Sequence, residues 1–163
     1  MYVRIGRYLN EDDPEDFKRG IDIVIHPYDT WSMDYTLALI IVPMLKQLKE
    51  TKHGAPLVDT EDVPEHLRPS EEDLHKYKTN GATDANFFRR WDYVLDEMIW
   101  AFEQIAEDDN DDQFYDHSEC EGIDDFEESV KKLKVDRDGL DAHHERIKTG
   151  TRLFGKYYRS LWD

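Results

Sequence analysis

The chain has 163 residues, of which 38 are acidic and 21 basic, so its formal net charge is −17. A field of that sign repels nucleic acids and anionic membranes at long range, and we expect neither as a partner. Hydrophobic residues make up 39% of the sequence and aromatic residues 12%. That is enough apolar material for a packed core, and the length suits a single domain over residues 1–163.

The sequence contains one cysteine, Cys120, so neither an intrachain disulfide nor a cysteine-based metal knuckle can be built. This cysteine usage suits a reducing cytoplasm. The first residues lack the apolar core of a signal peptide. The longest apolar run, 37–45, is far shorter than the roughly 20 residues of a membrane span. We therefore expect a cytoplasmic protein.

Two stretches near the N-terminus, 2–5 and 21–26, alternate β-branched residues with others, which predicts two short strands. Between them, Asp13, Pro14 and Gly20 suit the cap, the first turn and the end of a short helix. A two-stranded sheet is marginal alone. We expect it to lean on the helices or to pair with a second copy of the chain. A homo-oligomer could form through this sheet or through the apolar helix faces.

Three longer stretches, near 32–52, 84–107 and 138–162, have the apolar spacing of helices. The first is apolar on most sides, which is typical of a central helix, and Pro43 is expected to kink it. Thr83 is the expected cap of the second. We predict a mainly α fold: three long packed helices with a small two-stranded β element near the N-terminus. The expected core includes Trp91, Met98, Ile41 and Phe154, together with the other tryptophans.

Two segments lack a strong period. Residues 55–82 contain three prolines and many charges, which predicts a surface loop with a short helical turn near 70–78. Residues 107–128 contain twelve acidic residues and neither Lys nor Arg. We predict an acidic loop there, partly ordered by its aromatic and aliphatic residues.

The last helix carries four basic residues, Lys148, Arg152, Lys156 and Arg159, which fall within about 80° of one another around its axis. Such a row of cations can hold a small anionic ligand such as a phosphate, with Tyr157 or Trp162 available for stacking. The alternative is that these cations form a solvated surface or pair with the acids of 107–128. This alternative is preferred, because charged helix faces are usually solvated.

The acidic segment also matches part of a calcium-binding loop. Positions 1, 3, 5, 9 and 12 of an EF-hand frame are occupied by Asp108, Asn110, Asp112, Asp116 and Glu119. Position 6, where the sharp turn requires Gly, is Gln113. A divalent cation such as calcium is the one cofactor this pattern suggests, and a solvated loop is the preferred interpretation.

Three weaker patterns complete the candidates. A pocket at the strand-to-helix junction would be formed by Trp31 with Asp29 and Asp34. The spacing of Arg137 and His143 resembles the motif of HEPN-type ribonucleases, although Gly139 interrupts it and the global charge argues against RNA. Acids of the second helix could bind a metal with His143 or His144, but the Glu-x-x-His signature of di-metal bundles is absent.

Three blocks resemble an uncharacterised family of tailed-bacteriophage proteins. They are DTWSMDYTLALIIVPMLKQLKETKHGAPLVDTEDVP (29–64), RRWDYVLDEMIWAFEQIAEDDN (89–110) and HHERIKTGTRLFGKYYRSLWD (143–163). The blocks cover about half of the chain, and the match departs in the first 28 residues and in 111–142. The resemblance implies a phage gene product that acts in the bacterial host cytoplasm or on a virion. It implies no particular activity.

These observations lead to three functional hypotheses. The first is a non-enzymatic phage accessory protein that binds a host protein or a small phosphorylated signal molecule, the latter in an anti-defence role. The second is a metal-dependent hydrolase or nuclease that uses carboxylates and His143 or His144. The third is a virion or assembly component.

Overall fold

The computed structural model describes residues 1–8, 19–107, 109–120, 122 and 125–162. The chain divides into two compact units, residues 1–37 and residues 38–163. One domain over 1–163 stays a prediction. The fold is mainly α with a two-stranded β element near the N-terminus, as the sequence predicts. None of the described helices is long and apolar enough to cross a membrane.

The N-terminal unit contains an antiparallel pair, β1 (Tyr2–Tyr8) and β2 (Arg19–Val24), followed by a 3-10 turn, Pro27–Thr30. Both strands extend beyond the predicted bounds 2–5 and 21–26 toward the connection between them, β1 to Tyr8 and β2 back to Arg19. At its other end, β2 stops before Ile25. The predicted short helix with Asp13 and Pro14 lies outside the described residues. The ammonium group of Met1 lies 2.7 Å from the Asp29 carboxylate, which ties the 3-10 turn to the start of β1.

Three long helices confirm the predicted periodicity. They are α1 (Met33–Thr51), which begins in the N-terminal unit, α3 (Phe87–Ile105) and α5 (Arg137–Tyr157). Two shorter helices are α2 (Glu71–Asn80) and α4 (Phe126–Lys132), and a second antiparallel pair joins β3 (Tyr115–Asp116) to β4 (Lys134–Val135).

Helix α3 is the centre of the helical unit. Its side chains Trp91, Leu95 and Met98 are fully buried, as expected for the apolar stripe of an amphipathic helix. On one flank, α1 runs antiparallel to α3. Three lysines of α1 pair there with three acids of α3 at 2.5–2.6 Å: Lys46 with Glu103, Lys49 with Asp96, and Lys52 with Asp92.

On the other flank, α5 packs closely on α3. The reason is Gly150, which is buried where the two helices approach most closely. A Cβ atom at this position would lie well inside contact distance of the Ala101 Cβ and the Glu97 carbonyl oxygen. Further along the pair, Tyr157 packs edge-on against Trp91 with ring centroids 5.7 Å apart.

The prediction that 55–82 is a surface loop is wrong in part. Val58, Asp62, Val63 and Leu67 are buried, and they belong to the core or contact it. The helical turn predicted near 70–78 is confirmed as α2, which Ser70 caps by accepting a hydrogen bond from the Asp73 amide. Val58, Val63 and Leu67 lie among many charged residues, so the sequence shows no apolar period there.

The start of α3 also differs from prediction. The helix begins at Phe87 and is not capped by Thr83; Asp84 instead accepts the Asn86 N–H at 2.8 Å. Asp84 also pairs with the buried guanidinium of Arg90, which donates to the Leu67 carbonyl oxygen at 3.0 Å. This buried ion pair fixes the preceding segment against the helix.

Two other expectations are corrected. The segment 107–128 is not entirely loop, because it contains β3, a 3-10 turn at Asp112–Phe114 and the beginning of α4. Of the expected core residues, Trp91 and Met98 are buried, whereas Ile41 and Phe154 are only partly buried. Of the other tryptophans, Trp31 and Trp162 are exposed, at 89% and 56%.

Candidate binding groove

An apolar groove lies on the helical unit between α1 and the C-terminal end of α5. It encloses about 430 Å³. Its lining consists of aliphatic and aromatic side chains: Ile41, Met44, Leu45, Leu48, Phe154, Tyr158 and Leu161. Grooves of this size and lining are typical of sites that bind apolar ligands or helices.

The groove has a firm floor and an open mouth. Leu45 is buried in the floor, and Phe154 is held by edge-to-face contacts with Phe102 and Tyr158, at 4.8 Å and 5.6 Å between ring centroids. At the mouth, Met44 is 67% exposed and Tyr158 64%. Large apolar side chains that the chain leaves exposed in a group are candidates for contact with a partner.

The two stretches of chain that border the groove have an unusual composition for this protein. Residues 35–49 and 146–162 contain no Asp or Glu, although the chain has 38. They hold seven of its 21 basic residues: Lys46, Lys49, Arg146, Lys148, Arg152, Lys156 and Arg159. The groove therefore lies between two acid-free stretches of the sequence, although six of these seven cations pair with carboxylates outside the stretches.

The basic stripe of α5 does not line this groove. Arg152 donates to one oxygen of Asp62 at 2.8 Å, and the Lys156 ammonium lies 2.6 Å from the other oxygen and 2.6 Å from Asp59. Both cations are thus paired with carboxylates, but with those of the 55–67 segment. The expected pairing with the acids of 107–128 is wrong for Arg152 and Lys156, because the 55–67 segment covers this part of α5.

Asp62 is the centre of that cluster. Its side chain is inaccessible to solvent, and besides the two cations it accepts a hydrogen bond from the Tyr157 hydroxyl at 2.8 Å. Burial alone would raise the pKa of Asp62, but the bonds from Lys156, Tyr157 and Arg152 bring it below its usual value. Burial, with the bond to Asp62, raises the pKa of Tyr157 to about 12.

The remaining members of the stripe are separate. Lys148 pairs with Glu145 on the same helix at 2.5 Å, and Arg159 lies in the 3-10 turn that follows α5. Tyr157 is buried against Trp91, and its hydroxyl also accepts the Asp59 N–H at 2.9 Å. The structure therefore does not gather the four cations and this ring around one cavity.

The calcium-binding frame is also dispersed over separate contacts. The Asn110 side chain donates to the Gln104 carbonyl oxygen at 2.6 Å, the Asp116 carboxylate accepts the Ser118 N–H at 2.9 Å, and Glu119 pairs with Lys134. Asp112 is exposed in the 3-10 turn, and Asp108 lies outside the described residues. Among the residues described, no three His, Cys, Asp or Glu side chains are grouped as metal ligands would be.

The histidines of α5 have two different surroundings. His143 is buried between Trp100 and Phe114, with ring centroids 5.3 Å and 5.2 Å away, while Arg137 is exposed at the start of the helix. His144 is partly exposed and lies 2.9 Å from the Asp111 carboxylate. The two halves of the ribonuclease-like motif thus differ in burial, and the carboxylates of α3 are engaged by lysines of α1 and by Arg146.

The proposed junction pocket is open to solvent. Trp31 is almost fully exposed, and Asp29 is engaged by the Met1 ammonium and by the His26 N–H at 2.6 Å. Asp34 occupies the first turn of α1, where a negative charge is favourable at the positive end of the helix. The Asp29 carboxylate is thus engaged within the chain, and the position of Asp34 is explained by the helix.

The sequence alone predicts the residues of this groove as core of two helices. A detectable signal was the absence of acids from both stretches that border it. Comparison with protein-family models, with curated proteins and with solved structures found no match for this chain. The groove must therefore be interpreted from its own geometry.

Proposed function

We propose that this chain is a non-enzymatic phage accessory protein that acts by binding a protein of the bacterial host in its cytoplasm. The apolar groove between α1 and α5 is the observation that carries the proposal. The phage and host context rests on the resemblance of the three sequence blocks. The occupant of the groove is an amphipathic helix of the partner.

The length of the groove suits a helix. On α1 its lining extends from Ile41 to Leu48, two helical turns or about 10 Å. An amphipathic helix presents apolar side chains at i, i+3 or i+4, and i+7 over the same distance, which is the usual pattern of helix-in-groove recognition. Met44 and Tyr158 at the mouth can contact the sides of such a helix.

Of the basic residues beside the groove, six are paired with carboxylates, and Arg159 is the cation that favours an acidic helix over a basic one. No carboxylate belongs to residues 35–49 or 146–162, and Arg159 adjoins the lining residue Tyr158. Elsewhere the surface is strongly acidic and repels an acidic segment. An acidic amphipathic helix is therefore directed to this groove by exclusion from other surfaces.

The same geometry reduces support for a small phosphorylated ligand. Arg152 and Lys156, the centre of the predicted anion site, are already neutralised by Asp62 and Asp59. A phosphate would have to displace a solvent-inaccessible carboxylate that has three donors. That exchange leaves the Asp62 carboxylate facing the negative charge of the phosphate, and it forms few new hydrogen bonds.

The test uses two labelled model helices of 18 residues with Leu at i, i+4, i+7 and i+11. One carries Glu on its polar face and the other carries Lys. Fluorescence anisotropy should show micromolar binding of the Glu peptide to the wild-type protein. Met44→Glu should weaken that binding at least tenfold, because it places a charge at the mouth of the apolar groove.

Leu39→Glu is the matched control. Leu39 is also an exposed apolar residue of α1, but it does not line the groove and lies about 140° away around the helix. It changes the net charge by the same amount, so binding should stay within twofold of wild type. Equal loss in both variants, stronger binding of the Lys peptide, or no binding to the wild type would each contradict the proposal.

A further inference from the structure

The N-terminal hairpin has two chemically different faces. In its antiparallel register Val3 lies opposite Ile23, and Ile5 lies opposite Ile21. Residues directly opposite one another share a face of the sheet. These two adjacent pairs therefore place four β-branched aliphatic residues and no charge on one face, and we call them the aliphatic face.

The other face is mixed. It carries the pair Tyr2 and Val24 and, next to it, the oppositely charged pair Arg4 and Asp22. Charged side chains directly across from one another suit a solvated surface. The polar groups thus mark which face is directed to water, and the aliphatic face is the one that needs a cover.

The side chains of the aliphatic face are exposed. Ile21 is 68% exposed, Ile5 51% and Ile23 49%. An isolated two-stranded hairpin is marginal in water, and a sheet normally buries one face against another layer. The described residues of the N-terminal unit include no buried hydrophobic residue, so the described part of this unit has no core of its own.

We propose that a second copy of this chain covers the aliphatic face, so that two hairpins stack into a small four-stranded sandwich. Sheets packed in this way lie about 10 Å apart, with interdigitating side chains. Two-fold symmetry places the face against its own image. The two aliphatic pairs carry no charge and tolerate that arrangement, whereas acidic pairs of a chain with net charge −17 would repel their copies.

The area is sufficient if the neighbouring aromatic residues take part. A stable interface buries roughly 800 Å² on each partner, more than four aliphatic side chains provide. Tyr28 and Trp31 are 87% and 89% exposed, and the bond between Met1 and Asp29 holds their turn beside the start of β1. Two such rings add roughly 150–250 Å² each when buried.

The experiment is sedimentation velocity of the full chain at 5 to 200 µM, with Ile23→Glu compared with Val24→Glu. These neighbours have similar exposure, but they lie on opposite faces of the same strand. Wild type and Val24→Glu should sediment as dimers at the upper concentrations. Ile23→Glu should raise the dimer dissociation constant at least tenfold, because it buries a charge at the symmetric contact.

Ile23→Thr removes apolar area but keeps a strand-forming residue, so it separates loss of the interface from loss of the hairpin. It should also weaken the dimer, and Met44→Glu in the groove should not. A monomeric wild type at 200 µM would overturn the proposal. So would a dimer that survives both Ile23 variants, or equal weakening by Val24→Glu or Met44→Glu.

Discussion

Asp62 shows how a single carboxylate can hold a segment of irregular chain onto a helix. Its two oxygens accept hydrogen bonds from Arg152 and Tyr157, and Lys156 lies 2.6 Å away. Removing one partner of a buried ion pair costs more than the pair contributes, because the remaining charges lose their compensation. We therefore expect Asp62→Asn to lower the free energy of unfolding by about 2–3 kcal/mol in urea titrations.

Glu61→Gln is the control for this change. Glu61 adjoins Asp62 and reaches Lys156 only at 3.4 Å, and its side chain is largely exposed. Exposed ion pairs contribute little to stability, so this variant should change the free energy of unfolding by less than about 0.5 kcal/mol. A comparable loss in both variants would mean that net charge, and not the buried cluster, determines the effect.

The same carboxylate predicts a pH dependence. Because the folded-state pKa of Asp62 is below its usual value, the charged form stabilises the fold at pH values above the unfolded pKa of about 4. This contribution is lost as the pH falls through the folded-state pKa. The stability difference between wild type and Asp62→Asn should therefore be constant from pH 5 to 7 and shrink below about pH 4, as followed by urea unfolding. A difference that grows on acidification would contradict this assignment.

At the scale of elements, two glycines of α5 are predicted to behave oppositely. Gly150→Ala forces a methyl group into Ala101 and the Glu97 backbone, so α3 and α5 must separate. Overpacking of this kind costs about 1–3 kcal/mol, at the upper end where the obstacle is backbone. Gly155→Ala meets nothing within 4 Å and should stabilise the helix by about 0.5–1 kcal/mol.

Thermal unfolding monitored by far-UV circular dichroism measures both effects on the same helix. Gly150→Ala should lower Tm by several degrees, and Gly155→Ala should raise it slightly. Because the two substitutions are chemically identical, helix propensity cannot explain opposite signs. Two increases in Tm would mean that α3 and α5 do not approach closely at Gly150.

The long helices were predictable because their apolar period is strong. Trp91, Leu95 and Met98 recur at helical spacing and are buried. The elements that were missed depend on few residues. The pair β3–β4 has two residues in each strand, and the packing of 55–67 rests on Val58, Asp62, Val63 and Leu67 among many charges. Such short elements are specified by tertiary contacts and leave no period in the sequence.

For the candidate site, the sequence predicts which residues are present but not which contacts they make. The row Lys148, Arg152, Lys156 and Arg159 is visible in the sequence. That Arg152 and Lys156 are paired with Asp62 and Asp59 depends on contacts between residues at least 90 positions apart in the chain. Likewise, Ile41 and Phe154 have the spacing of core residues, and only the separation of α1 from the end of α5 turns them into the walls of a groove.

At the scale of the whole molecule, the net charge sets the salt dependence of self-association. Two chains of −17 repel each other, and this repulsion opposes contact between the uncharged aliphatic faces. Raising NaCl from about 20 mM to about 300 mM shortens the screening length from roughly 20 Å to below 10 Å. We therefore expect the dimer dissociation constant to fall several-fold over that range in sedimentation experiments.

Val24→Glu adds a charge to each copy without touching the aliphatic face, so it should strengthen the salt dependence while leaving the high-salt affinity near that of the wild type. An interface held by ion pairs would respond in the opposite direction, because screening weakens attraction between opposite charges. A dissociation constant that rises with NaCl would thus show that charged residues, and not Val3, Ile5, Ile21 and Ile23, form the contact between the copies.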